Sequence, residues 1–405
     1  MNYFKVAWRN IWRNRSRTLI TVLAIVMAVF LSTVMTSMQE GTYSKMIDNM
    51  VKFYSGYLQI HQPDYWDNKT INNTFVPTDS LLSLVENTKG VTDVAVRLES
   101  FTLLSTGENT KGSALIGIDP VMENKLTNLS HWIDTGTYLK PGDDGILVAY
   151  NLAKSIKANV GDTLVLLSQG YHGVTAAGLF PIRGILKFAS PQLNSLGAYI
   201  DLGQARKFYS ADHLATSVVI MIENGNELHA VKKDLQRSLG DKYAVQTWDE
   251  MQPELKQMIQ ADRSGGIIMK AILYVIIGFG IFGTVIMMIS ERKRELGVMV
   301  AVGMQKGRLA IIMILETIFI GMVGIIIGFA ISLPVILAFL HHPLPLSAEA
   351  AKAYENFGLE PAMFFSADSI IFVRQIAIVF LLTIVIGLYP MFKVLFLKLS
   401  NSLRS

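Results

Sequence analysis

The sequence predicts an α-helical membrane protein with four transmembrane helices and a large α+β extracytoplasmic domain inserted between the first and second spans. Three observations predict it. Apolar residues make up 51% of the 405 residues and charged residues only 17%, against roughly a quarter charged in a soluble domain. Four stretches are long and apolar enough to cross a bilayer, which takes about 20 residues. Basic residues crowd the short flanks of those stretches.

The spans are expected at residues 18–39, 266–290, 309–340 and 374–393. The first contains no charged side chain. Its apolar run is too long for the core of a signal peptide, and no small-x-small cleavage site follows, so it is expected to remain as an anchor. The third is interrupted only by Glu316.

Orientation follows from the flanks, because basic residues stay on the cytoplasmic side. Lys5, Arg9, Arg13, Arg15 and Arg17 precede the first span, with no acid among them. Arg292, Lys293, Arg294, Lys306 and Arg308 lie in the segment 291–308, and Lys393, Lys398 and Arg404 at the other end, where 394–405 is a tail. The loop 341–373 is acidic instead, with Glu349, Glu355 and Glu360 against Lys352. Both termini and the segment 291–308 are therefore expected in the cytoplasm of a multi-pass inner-membrane protein, with 40–265 and 341–373 outside. Residues 1–17 carry Phe4, Trp8, Ile11 and Trp12 at helical spacing with Lys5, Arg9 and Arg13 on another face. That pattern predicts an amphipathic helix lying at the headgroups.

The outer region is long enough for its own core. Tyr57–His61 reads as a strand, Asp79–Asn87 as a short helix and Thr92–Leu104 as one or two strands. Thr216–Glu223, Glu227–Leu239 and Tyr243–Trp248 repeat the strand, helix, strand order. Two halves of one α/β layer are expected, with a β-rich insert at about 107–200 whose strands include Gly145–Ala149, Thr163–Ser168 and Phe180–Leu186. Asp249–Asp262 reads as a helix leading into the second span.

Several chemistries are excluded. There is no cysteine, hence no disulfide or thiol nucleophile. No Gly-Lys pair occurs, so there is no phosphate-binding P-loop, and neither His-Glu-x-x-His nor Gly-x-Ser-x-Gly is present. The pair His341-His342 lacks a third ligand nearby in sequence. No catalytic or metal-binding residue is assigned. Glu316 is the residue least expected in lipid, where a carboxylate is costly and marks a functional position by default; the plainer alternative is that it pairs with a nearby arginine. Gly321, Gly324 and Gly328 fall near one face of the third span, and Gly278, Gly280 and Gly283 recur in the second; such residues let helices approach closely. Met35 and Met38, one turn apart on the first span, are candidate contacts for an apolar cargo.

The run Glu291-Arg292-Lys293-Arg294-Glu295-Leu296-Gly297-Val298-Met299-Val300-Ala301-Val302-Gly303 resembles the cytoplasmic run of the FtsX-like permease subunits of ABC transporters. That class includes lipoprotein-releasing permeases and MacB-type exporters. Glu316 falls where the class has a glutamate, and Trp8-Arg9-Asn10-Ile11-Trp12-Arg13-Asn14 resembles its opening. Gly56–His61, Leu115–Pro120, Val160–Asp162 and Thr247–Pro253 resemble segments of the lipoprotein-releasing branch in particular.

The resemblance implies that a separate ABC ATPase dimer, carrying ATP and Mg²⁺, docks on the segment 291–308. Glu291, Arg292, Arg294, Glu295, Gly297 and Gly303 are then the coupling residues, with Gly297 and Gly303 leaving room for close backbone approach. The chain itself binds no cofactor and no nucleic acid. The resemblance further implies that it pairs with itself or with a related permease in membrane lipid, and that a lipoprotein cargo or a periplasmic chaperone is among its partners. MacB-type efflux of peptides or drugs, and FtsX-type signalling to a cell-wall hydrolase, stay open as alternatives.

The orientation is testable because the chain has no cysteine of its own. A cysteine at Asn73 should react with an impermeant thiol reagent in intact spheroplasts, and one at Gln305 only after lysis. Reversed labelling contradicts the orientation.

Overall fold

The computed structural model describes residues 3–13, 15–188, 191, 193–195, 197–356 and 360–396. Asn14 of the opening run, and Lys398 and Arg404 of the last basic flank, lie outside the described residues. In chain order the helices and strands are α1 (Tyr3–Arg13), α2 (Arg15–Met50), β1 (Leu58–His61), α3 (Asp79–Glu86), β2 (Val91–Ser105), β3 (Thr110–Ile118), α4 (Pro120–Thr127), β4 (Ile133–Gly136), β5 (Ile146–Ala149), α5 (Tyr150–Ile156), β6 (Thr163–Gln169), β7 (Thr175–Leu186), β8 (Gly197–Asp201), α6 (Leu202–Tyr209), β9 (Ser217–Ile222), α7 (Leu228–Leu239), β10 (Ala244–Thr247), α8 (Trp248–Met251), α9 (Pro253–Ala301), α10 (Lys306–His341), α11 (Ala348–Asn356) and α12 (Ser369–Leu395). They form two compact units. One comprises Met1–Ser44, Ile259–Pro345 and Met363–Ser405; the other comprises Lys45–Met258 and Leu346–Ala362.

The first unit is a helical bundle. Its long helices α2, α9, α10 and α12 are each apolar and long enough to cross a membrane. Ile25 and Val29 of α2, Ile281 and Val285 of α9, Met313 and Ile320 of α10, and Val379 and Ile386 of α12 meet in one core. The glycines of α10 set how closely its neighbours approach. A Cβ on Gly324 would lie 2.6 Å from Ile25, one on Gly328 would lie 2.7 Å from Val29, and one on Gly321 would overlap Thr383. The glycines of α9, which as a tight-packing set would serve either a bundle or a dimer, are not used inside this chain. Nothing lies within 4 Å of a Cβ built at Gly280 or Gly283, and Gly278 meets only Leu382 at 3.6 Å. Within this chain they bring no helix close.

The segment 291–308 begins as a continuation of the second long helix. Helix α9 runs without a break for 49 residues to Ala301, about 74 Å at 1.5 Å per residue. No proline interrupts it after Pro253. Gly297 alone disfavours helix there, by about 1 kcal/mol, and burial of Arg292 and Leu296 holds the turn in place. The chain reverses only at Gly303. Gly303 N–H donates to Val300 O (3.1 Å) and Met304 N–H to Met299 O (3.0 Å), a Schellman end that needs a left-handed residue. Gly303 has φ +100° and nothing within 4 Å of a Cβ. Within this chain it supplies the turn, and the space beside its Cα is open.

The second unit carries a ten-stranded sheet. Strands β10, β1, β9 and β2 are neighbours in that order, each pair antiparallel. With α3 joining β1 to β2 and α7 joining β9 to β10, this is the split β-α-β arrangement of a ferredoxin-like layer. Leu58, Ile60, Leu81, Val85, Val218, Ile220, Val231 and Leu235 fill its core. Everything between β2 and β9 is inserted. There β2, β3, β8, β5, β7 and β6 each pair with the next, and β6 pairs back onto β2, closing a ring. Its interior is packed by Leu98, Leu104, Leu115, Ile146, Leu164, Phe180 and Ile200.

Short segments singled out in the sequence prove to be caps and turns. Asp119 accepts from Val121 N–H (2.9 Å) and Met122 N–H (3.0 Å) with Pro120 opening α4, so Leu115–Pro120 is the end of β3 and a helix start. Thr247 and Glu250 form a capping box on α8. Gly161 takes φ +95° in the Val160–Asp162 turn.

His61 is buried in the ferredoxin-like layer. Its Nδ1–H donates to Thr216 O (3.0 Å), its ring stacks on Tyr65, and Nε2 has no partner. Burial pushes its pKa down to about 4. The unfolded chain, with histidine near 6.5, therefore takes up a proton first on acidification, and stability is lost as pH falls from about 6.5 toward 4, by at most about 3 kcal/mol. Burial raises the carboxyl of Glu99 instead, which acts in the opposite sense. Trp66 fluorescence during thermal unfolding in detergent should show the acid-side loss, and His61→Gln should flatten it. An unchanged slope in the variant rejects His61 as its source.

Candidate functional site

The site builds from one buried carboxylate. Glu316 sits on α10 with 1% exposure, two to three turns beyond the helix start at Lys306. A carboxylate there must be paired or pay the cost of desolvation. Arg292 of α9, itself 8% exposed, donates Nη1–H to Glu316 Oε2 at 2.7 Å. Asn10 of α1 donates Nδ2–H to Oε1 at 2.6 Å. One side chain thereby ties three helices, and the pairing alternative for Glu316 is the one observed.

Two outer pairs extend the network. Arg13 of α1 pairs with Glu295, and Arg17 of α2 pairs with Glu291. Arg292 Nε also lies 3.6 Å from Glu295. Helix periodicity explains the set. Residues 291, 292 and 295 recur on one side of α9, so all three face α1, the start of α2 and α10. Thr18 Oγ1–H donates to Ile11 O (2.8 Å) across the α1–α2 junction, and Trp8 packs edge-on against Phe319, which holds α1 on α10.

The structure thus brings Glu291, Arg292, Glu295 and Glu316 together and adds Asn10, Arg13 and Arg17, which the sequence reading had treated only as part of the opening run or as charge flanks. Arg292, counted with the basic flank in the sequence, faces inward, and its guanidinium donates to Glu316. Arg294 is exposed, and Gly297 is buried on α9. Gly321, Gly324 and Gly328 lie further along α10, against α12 and α2. Met35 and Met38 are half-buried on α2, far along that helix from Arg17. Near them Gln375 of α12 donates to Thr36 Oγ1 (2.9 Å) and bonds Tyr274 of α9, a polar cross-link that no local pattern announces.

A second polar cluster lies in the sheet unit. Arg97, 1% exposed, makes a bidentate pair with Glu123 (2.9 and 2.7 Å) and reaches Glu99 at 3.5 Å. Glu99 lines a cavity of about 190 Å³ together with Gln59, Tyr65, Trp66 and Lys69.

Comparison with known proteins agrees with this architecture. The MacB-like periplasmic core domain model matches residues 18–238, and the FtsX-like permease C-terminal model matches residues 267–399. The chain belongs to this FtsX-like, MacB-like family of ABC transporter permeases. It is similar to the lipoprotein-releasing system transmembrane protein LolC of Neisseria meningitidis serogroup B, 21% identical over 267 residues, 64% of this chain and 64% of that protein. The match therefore spans 64% of that relative's length. LolC of Xylella fastidiosa is 24% identical over 332 residues, 78% of each chain. An uncharacterized ABC transporter permease of Methanocaldococcus jannaschii is 22% identical over 268 residues, 63% of this chain and 64% of that one. Among solved structures, the periplasmic region of MacB from Actinobacillus actinomycetemcomitans gives a TM-score of 0.36 at 15% identity, covering 53% of this chain and 98% of that one. The extracellular domain of the transporter YknZ from Gram-positive bacteria gives 0.34 at 14% identity, covering 47% and 99%.

Removing one member of a buried pair leaves the other charge uncompensated and costs about 3–5 kcal/mol, whereas replacing both by apolar residues is often neutral. Glu316→Ala should therefore lower the melting temperature of the detergent-solubilised chain. The double variant Arg292→Met, Glu316→Leu should recover most of the loss. A double variant as unstable as the single one shows that charge pairing is not what Glu316 contributes.

Proposed function

We propose that this permease relays the motion of a separate ATP-binding subunit, docked at the α9–α10 turn, along α2 and α9, and that its cargo is a lipoprotein released from the outer side of the inner membrane. In this reading α2, α9, α10 and α12 cross the membrane, both termini and the α9–α10 turn are cytoplasmic, and the sheet unit is periplasmic. ATP and Mg²⁺ belong to the partner, and two permease copies, identical or related, share one ATPase dimer.

The network around Glu316 carries the proposal. A push on the turn moves α9 and α10 together through Arg292–Glu316 and reaches α2 through Arg17–Glu291, and α2 and α9 are the two helices whose chain leads into and out of the sheet unit. The similarity to LolC proteins supports the choice of cargo. The family match to MacB supports efflux as a second reading. Photo-crosslinkers at Met35 and Met38 separate the two: capture of lipidated protein supports release, and capture of small amphiphiles alone supports efflux.

Coupling is tested at Glu295. Its pair with Arg13 is more than half exposed on both sides (51% and 56%), and such pairs contribute only about 0–1 kcal/mol to stability. Glu295→Lys should leave the chain folded and inserted while bringing a third cation beside Arg13 and Arg292. Transport per ATP hydrolysed should fall by about tenfold or more, equivalent to about 1.4 kcal/mol of lost coupling. Normal transport by an assembled Glu295→Lys complex overturns the coupling role.

A further inference from the structure

We propose that the groove bounded by α1, the first turns of α2 and α10 is a binding site for one anionic phospholipid, with an acyl chain in the groove and the phosphate at Arg15. The inference rests on the membrane-spanning reading above and goes beyond it, because it assigns a particular lipid class to a particular place.

The groove has a volume of about 280 Å³. Its walls are Ile11, Trp12, Leu19, Val22, Val323 and Ile327, from three helices, so it is apolar along its length. Polar groups line it only at one end. Thr18 is among them, but its hydroxyl is already spent on Ile11 O. Arg15 and Ser16, both exposed, remain there, in the first turn of α2, where the helix dipole favours an anion.

Charge decides what the rim accepts. Helix α1 and the first turn of α2 carry Lys5, Arg9, Arg13, Arg15 and Arg17 and no acid. The carboxylates on the facing helices are already taken: Glu295 by Arg13, Glu291 by Arg17 and Glu316 by Arg292. Arg15 is paired with none of them. A positive rim above an apolar slot matches a lipid whose headgroup keeps a net negative charge, and matches a neutral headgroup less well. The groove also sits beside α1, whose seat on α10 is made by Phe4 and Trp8 against Phe319. A lipid there would brace the same helix that supplies Asn10 and Arg13 to the coupling network.

Trp12 lines the groove and reports its occupant. The full chain is reconstituted into vesicles containing either phosphatidylglycerol or phosphatidylcholine brominated on the acyl chain, and the Trp12 contribution is taken as the difference between the parent chain and Trp12→Phe. Quenching of Trp12 should be about fivefold more sensitive to the brominated phosphatidylglycerol, the preference that one basic side chain gives near an anionic surface. Arg15→Gln should abolish the preference, while Lys5→Gln, which removes the same charge from α1 instead of α2, should retain it. Val323→Phe, which fills the slot, should reduce quenching by both lipids. Equal quenching by the two lipids, or a preference lost equally in both charge variants, means bulk lipid and overturns the site. Absence of quenching by either means that protein, such as a second permease helix, fills the groove, and overturns it as well. Flotation of the chain with the vesicles, followed separately, reports on the membrane reading itself.

Discussion

A carboxylate in an apolar bundle has to be matched by a cation within a few ångströms, and at Glu316 that requirement fixes most of what surrounds it. Arg292 reaches it from α9 at 2.7 Å and Asn10 from α1 at 2.6 Å. Once Arg292 is committed inward, Glu291 and Glu295 on the same side of α9 are presented to Arg17 and Arg13. The helix that carries all three has to continue past the apolar stretch, which is why α9 ends at Ala301 rather than near residue 290. The chain reverses only where Gly303 supplies a left-handed residue.

The sheet unit uses the same device where one long strand changes partner. Strand β2 pairs with β9 as far as Arg97 and with β3 from Arg97 onward. That residue therefore stands where the ferredoxin-like layer gives way to the inserted ring. Its guanidinium is held by both oxygens of Glu123 and also donates to Tyr54 O. A fully satisfied buried ion pair adds little net stability, but it penalises alternative registers in which either charge is left alone. Fixing the point at which one long strand changes partner is a use suited to that property.

Membership of an ABC permease family implies an ABC ATPase partner. What the geometry contributes is a set of ties between helices. The α9–α10 turn is tied by charges to α1 and α2, and α10 is tied to α2 and α12 by glycine contacts that leave no slack. The glycines of α9 at 280 and 283, by contrast, face open space within this chain. The polar link of Thr36, Tyr274 and Gln375 joins α2, α9 and α12 further along the bundle. Between these two levels Thr21 of α2 donates to Thr284 Oγ1 (3.0 Å) and Ile281 and Val285 pack into the shared core, so α9 is held along its inner face.

Much of this was legible in the sequence, because it depends on neighbours in the chain. Apolar runs of sufficient length give the four long helices. Alternating and helical periods give strand, helix, strand at both ends of the outer region, and Asp119-Pro120 or Thr247 with Glu250 mark helix starts from side-chain chemistry alone. Glu316 stands out because a carboxylate in such a run needs a reason. What the sequence could not assign is who answers it. Glu316 and Asn10 are 306 residues apart and Arg13 and Glu295 are 282 apart, and every arginine of the basic flanks is an equal candidate until α1, α9 and α10 are packed. The same holds for the ring of strands, whose closure joins β6 to β2 across a long intervening chain. Local composition sets which elements form. Partner choice at long separation depends on which faces come together, and only the tertiary structure decides that.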